Sequence, residues 1–104
     1  MTERRLIVEP RGDEDVEEAF AWYEHEQAGL GYQFLDELYT CYERIKRVPL
    51  GYQDQGDGIR RALLRRFPYG VYFVVEHDAI IILTVLHSSR DPAEWQRRRA
   101  DREA

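Results

Sequence analysis

The chain has 104 residues, 43% of them hydrophobic, and a formal net charge of −5. That is enough for one domain with one modest core, too little for two, and too apolar for a disordered chain. The longest apolar run, 79–86 with Thr84 inside it, is far too short to span a bilayer, and the first residues lack a signal-peptide stretch, so the reading is a cytoplasmic protein with no membrane contact.

Taken in chain order, residues 4–9 form a short β run around Leu6-Ile7-Val8, closed by Pro10. Gly12-Asp13 opens a helix, with Asp13 as N-cap and Glu14, Asp15, Glu17 and Glu18 where the positive end of the helix favours negative charge. Val16, Ala19, Phe20 and Tyr23 recur at helical spacing as one apolar stripe, and the acidic residues are expected to face water. The helix stops near Gly29. A second helix is predicted over 32–47, with Phe34, Leu38, Cys41 and Ile45 in one row and Leu35 and Tyr42 beside it, ended by Pro49 and Gly51. So short a turn requires the two helices to pack as an antiparallel hairpin.

Residues 50–58 read as a glycine-rich loop. From Ile59 the period changes to that of strands. Strands are predicted over 59–67, 69–76 and 79–87, with Pro68 at one turn and His77-Asp78 as a two-residue hairpin turn. The last of these is apolar on both faces, which suits a central strand. Beyond Ser88 the stretch from Ala93 onward is charged and helix-forming. The expected architecture is a single α+β domain over 1–104, two-layered, in the order β-α-α-β-β-β. A helix hairpin packs on a largely antiparallel sheet, and a short C-terminal helical tail covers about 93–104.

Charge is unevenly placed. Residues 1–58 carry a balance of −8 and residues 59–104 a balance of +3, and every basic residue except Lys46 is arginine. A guanidinium fork suits phosphate or carboxylate, so the second half is the candidate docking face for an anionic partner. Arg60, Arg61, Arg65 and Arg66 stand on one predicted strand. Alternation puts Arg61 and Arg65 on one face and Arg60 and Arg66 on the other, one pair being available to helix carboxylates such as Glu37. His87 ends the central strand with Arg90 three residues on. An imidazole beside guanidinium groups can serve as general acid or base at a phosphodiester, although a histidine at a strand end also serves as a hydrogen-bonded structural residue. Trp95 with Arg97, Arg98 and Arg99 forms a basic aromatic tail, either a docking surface or a solvated helix with one anchor. No glycine-rich phosphate loop is present, His25, His77 and His87 lack metal spacing, and Cys41 has no histidine near it, so neither metal nor cofactor is expected.

The run Arg66-Phe67-Pro68-Tyr69, then Val71-Tyr72-Phe73, Ile80 to Leu83, and Val85-Leu86-His87 with Arg90, Pro92 and Trp95, resembles the RelE/ParE superfamily of toxins from type II toxin–antitoxin systems. The helix hairpin over 19–38 and Pro49 agree, and the similarity covers about 4–95. The pattern is closer to ParE-like members. The resemblance implies growth arrest through DNA gyrase, with a cognate antitoxin as partner and operator DNA reached only through that antitoxin. Arg60, Arg61, Arg65, Arg66, Arg90, Trp95, Arg97, Arg98 and Arg99 would then bind the target. The RelE-like alternative is a ribosome-dependent mRNA endonuclease, in which Arg61, Arg65, Arg66, His87 and Arg90 would do the chemistry. Against it stand the single lysine, the acidic first half and the absence of any tyrosine after Tyr72. A further alternative is a non-toxic member acting in an operon-repressing complex.

Overall fold

In the computed structural model, which describes residues 4–89, Pro10 both ends strand β1 (Arg5–Val8) and opens helix α1 (Pro10–Glu26). The helix therefore starts before the Asp13 expected from sequence, and Glu9, not Asp13, takes the N-cap position with an extended backbone. The reason is that proline at a first helical position loses no hydrogen bond and has φ already set. Asp13 lies within the first turn, its N–H bonded to Glu9 O at 3.1 Å.

Helix α2 (Leu30–Arg47) follows after a three-residue turn. Gly29 sits at φ 89°, in the left-handed region, and the Glu24 carboxylate accepts the N–H groups of Gly29 (3.1 Å) and Gly31 (2.8 Å). A glutamate from the preceding helix thus satisfies donors at the start of α2, which is why the helix begins two residues earlier than expected. Phe34, Leu38, Cys41 and Ile45 all have 0% exposure, as their spacing required. Burial pushes the Cys41 thiol up, which keeps it protonated and removes it as a nucleophile. A short 3-10 turn, Pro49–Gly51, closes the hairpin.

Three strands complete the domain: β2 (Ile59–Leu63), β3 (Tyr69–Glu76) and β4 (Ala79–His87). Strand β2 is shorter than the predicted 59–67. Leu63 pairs with Gly70, after which Leu64 N–H reaches Tyr69 O (3.0 Å) and Tyr69 N–H reaches Phe67 O (2.8 Å). Those bonds fold the chain around Pro68, which has no N–H to give a ladder. Arg65 and Arg66 consequently lie in a turn, where strand alternation does not apply. His77 and Asp78 form the expected two-residue turn, closed by the pair Glu76 and Ala79.

The sheet order is β1-β4-β3-β2, with β1 parallel to β4 and the other pairs antiparallel. Strand β4 is central, and its first eight residues are buried. On the helix side Phe34, Leu38, Ile45, Phe73, Ile80 and Ile82 share one core cluster; on the opposite face Ile59, Val74, Ile81, Leu83 and Leu86 form another. Tyr72 pairs with Thr84 but Phe73 pairs with Ile82, so Leu83 is an extra residue, a β-bulge. Just past this bulge Asp15 of α1 accepts the Thr84 hydroxyl and the Val85 N–H (3.1 Å). Asp15 therefore departs from the expectation that the acids of α1 face water, whereas Asp13, Glu14, Glu17 and Glu18 conform to it. Among the described residues no helix is long and apolar enough to cross a membrane.

Candidate functional site

The fold gathers polar chemistry at the end of the sheet where Tyr69 pairs with His87. Two clefts flank the Pro68-Tyr69 turn. One is lined by Leu63, Arg65, Arg66, Phe67 and Ser88, the other by Asp15, Glu18, Trp22, Tyr23, Val85 and His87, and both share Pro68 and Tyr69. The turn itself is held by rings. Phe67 packs edge-on against Tyr23 (5.0 Å) and Phe34 (5.5 Å), and Tyr69 lies edge-on to Phe34 (5.2 Å).

The four arginines do not act as one set. Arg60 lies on the helix side and its guanidinium donates to Tyr52 O; it lines a separate cleft with Arg4, Glu76 and His77, at the far end of the sheet from His87. Arg61 is exposed on the opposite face. Arg65 and Arg66 are exposed in the turn beside Pro68. Arg66 is anchored as the Glu37 reading supposed: its N–H donates to Glu37 Oε2 (2.7 Å) and its Nε to Oε1 (3.0 Å). Its guanidinium also stands 5.9 Å from the Phe67 ring centre. The structure thus brings Arg65, Arg66 and His87 to one end and leaves Arg60 at the other. Arg90, Trp95, Arg97, Arg98 and Arg99, and the tail over 93–104, lie outside the described residues.

Burial by itself would raise the Glu37 carboxyl, but the N–H groups of Arg66 and Arg65 and the Arg66 guanidinium outweigh it and hold the group below its ordinary 4.5. A lowered folded-state value stabilises above the unfolded value, and the contribution is lost as pH falls through the folded one. Glu37→Gln is therefore expected to be less stable than the parent at pH 7 by about 1 kcal/mol, discounted for the solvent around Arg66. That gap should close as pH falls below 4.5. Urea midpoints at pH 7 and pH 3 check this, and an equal gap at both would refute it.

His87 is half-buried, its ring edge-on to Tyr69 at 5.3 Å. Its Nδ1 accepts the Ser89 N–H (3.1 Å) and contacts the Ser89 hydroxyl (2.8 Å). A ring nitrogen that accepts a backbone N–H carries no proton, so the proton of the neutral ring is on Nε2. The ring lines the cleft of Asp15 and Glu18, whereas Arg65 and Arg66 line the neighbouring cleft.

Sequence reading did not single out Asp15, Glu18, Trp22 and Tyr23 as walls of a site. The signal was present: 15, 18 and 22 fall on one helical face that borders the apolar stripe, of which Tyr23 is a member. What could not be read was that the end of β4 would lie against that face.

A family model described as ParE toxin of type II toxin–antitoxin system, parDE, matches residues 6–92. Comparison with curated proteins finds no sequence match. Among solved structures, a chain of the chromosomal ParDE toxin–antitoxin system from P. aeruginosa superposes with a TM-score of 0.74 at 16% identity, covering 82% of this chain and 96% of that one. The free E. coli toxin RelE, carrying a double arginine-to-alanine substitution, superposes with a TM-score of 0.59 at 13% identity, covering 99% of this chain and 100% of that one. At such identities the structural likeness is one of fold.

Proposed function

Because this chain belongs to the ParE toxin family of type II toxin–antitoxin systems, we propose that it is a growth-arresting cytoplasmic toxin held inactive by a cognate antitoxin, and that its target is DNA gyrase. The observation that carries the reading is the family match, which spans 6–92 and so includes both helices, β2 to β4 and all of β1 but its first residue. Site geometry supports a binding role over a catalytic one. A general acid or base at a phosphodiester works best among cations, and among the described residues the cleft that His87 lines holds two carboxylates, Asp15 and Glu18.

Purified toxin at molar excess over gyrase is expected to abolish supercoiling and to trap cleaved DNA, and addition of antitoxin to reverse both. Unimpaired supercoiling by gyrase in the presence of folded toxin would remove gyrase as the target. The endonuclease reading keeps one supporting observation, that Arg65, Arg66 and His87 stand at one end of the sheet around Tyr69. It requires discrete cuts in mRNA on translating ribosomes, lost in His87→Ala.

A further inference from the structure

The cleft between α1 and the end of β4 combines aromatic rings with two carboxylates, a chemistry unsuited to holding a phosphate. It encloses about 440 Å³, within the roughly 300–1,000 Å³ typical of small-ligand sites. Its walls are rings: Trp22, 58% exposed, stands edge-on to Tyr23 (5.1 Å), and Tyr69 bridges Tyr23 (6.1 Å) and His87 (5.3 Å). Asp15 and Glu18 supply carboxylates one helical turn apart. Aromatic faces beside carboxylates attract a cation that retains some apolar surface, and they repel phosphate. The surrounding helix reinforces the sign, since α1 carries seven acidic residues against Arg11 as its single arginine or lysine.

We propose that this cleft receives a cationic side chain, a guanidinium or ammonium group, carried on an amphipathic segment of the antitoxin. The proposal rests on the antitoxin reading above and deepens it. The stem of the incoming side chain lies on Trp22 and Tyr69, and its charged head meets Glu18 with Asp15 behind it. Asp15 is oriented for this by its bonds to Thr84 and to Val85 N–H. The same surface turns nucleic acid away, so antitoxin capture and any anion-directed target contact are assigned to opposite sides of the Pro68-Tyr69 turn, the second being the Arg65 and Arg66 side.

The test has two arms. In the first, the Trp22 indole N–H resonance of the free toxin is followed by NMR during titration with L-argininamide and with L-citrullinamide, which has nearly the same shape without the charge. A saturable shift with argininamide, about tenfold weaker with citrullinamide and in Glu18→Gln, is expected. No shift, or equal shifts from both compounds, overturns the proposal. In the second arm, affinity for the antitoxin encoded beside the gene is measured for the parent, Glu18→Arg and Trp22→Ala, both at exposed positions. Losses of about ten- to a hundredfold, larger at low salt for Glu18→Arg, are expected. Tight antitoxin binding unchanged by either substitution overturns the cleft assignment while leaving the antitoxin reading in place. Absence of any complex with the parent protein overturns the antitoxin reading and, with it, the occupant named here.

Discussion

Phe34→Ala is expected to lower the unfolding free energy by about 3–5 kcal/mol, the cost of emptying an aromatic core position. Its ring has 0% exposure and meets three others: Tyr23 at 5.5 Å, Phe67 at 5.5 Å and Tyr69 at 5.2 Å. It therefore joins both helices to the turn that separates the two clefts. A domain of this size has a total stability of about 5–15 kcal/mol, so the loss takes a large share and brings the protein near its threshold. The site should suffer with the fold, because Phe67 and Tyr69 are held in place by the ring that is removed. Urea unfolding followed by far-UV circular dichroism measures the loss. Phe34→Leu, which keeps most of the volume, should lose about half as much. A loss below about 1 kcal/mol for the alanine variant would contradict the hub role, since it implies a site that collapses without cost.

Gly31→Ala sets two principles against each other. In an isolated helix, alanine stabilises relative to glycine by about 1 kcal/mol. In this protein a Cβ at position 31 would lie 2.8 Å from the Phe20 carbonyl oxygen and from Phe20 Cδ1, and 2.9 Å from Glu24 Cγ. The Phe20 ring and the Glu24 stem can turn aside, but the carbonyl belongs to the α1 backbone and cannot. The two helices must separate, which also pulls Glu24 from the Gly29 and Gly31 N–H groups it accepts. The net expectation is a loss of about 2–3 kcal/mol, the cost of overpacking a close contact outweighing the gain in propensity. Gly51→Ala is the control: a Cβ there finds nothing nearer than 3.8 Å, and stability should change little. A melting temperature for Gly31→Ala at or above that of the parent would show that propensity wins and that the hairpin is looser than its geometry. Phe34→Ala and Gly31→Ala would both lose the proposed toxin activity through loss of fold, so their stability has to be measured before any activity is interpreted.

Sequence alone determined what depends on local order. The row Phe34, Leu38, Cys41 and Ile45 was legible because a helix repeats every 3.6 residues, and one buried face needs no knowledge of what covers it. Strands β3 and β4 and the His77-Asp78 turn followed from a run of β-formers interrupted by two turn residues. The family followed from the same stretch, where turn and strand residues succeed one another in a recognisable order. Tertiary structure decided everything that joins distant positions. Arg66 finds Glu37 29 residues away, and Thr84 finds Asp15 69 residues away. Strand β2 stops at Leu63 because the turn through Pro68 redirects the ladder, so the four arginines separate and alternation never extends to Arg65 and Arg66. The ring of His87 lines a cleft with Asp15 and Glu18, 72 and 69 residues away in sequence, because α1 docks against the end of β4. Periodicity reports which face of an element is buried. It carries no record of which other element meets that face, and the clefts of this protein are made at those meetings.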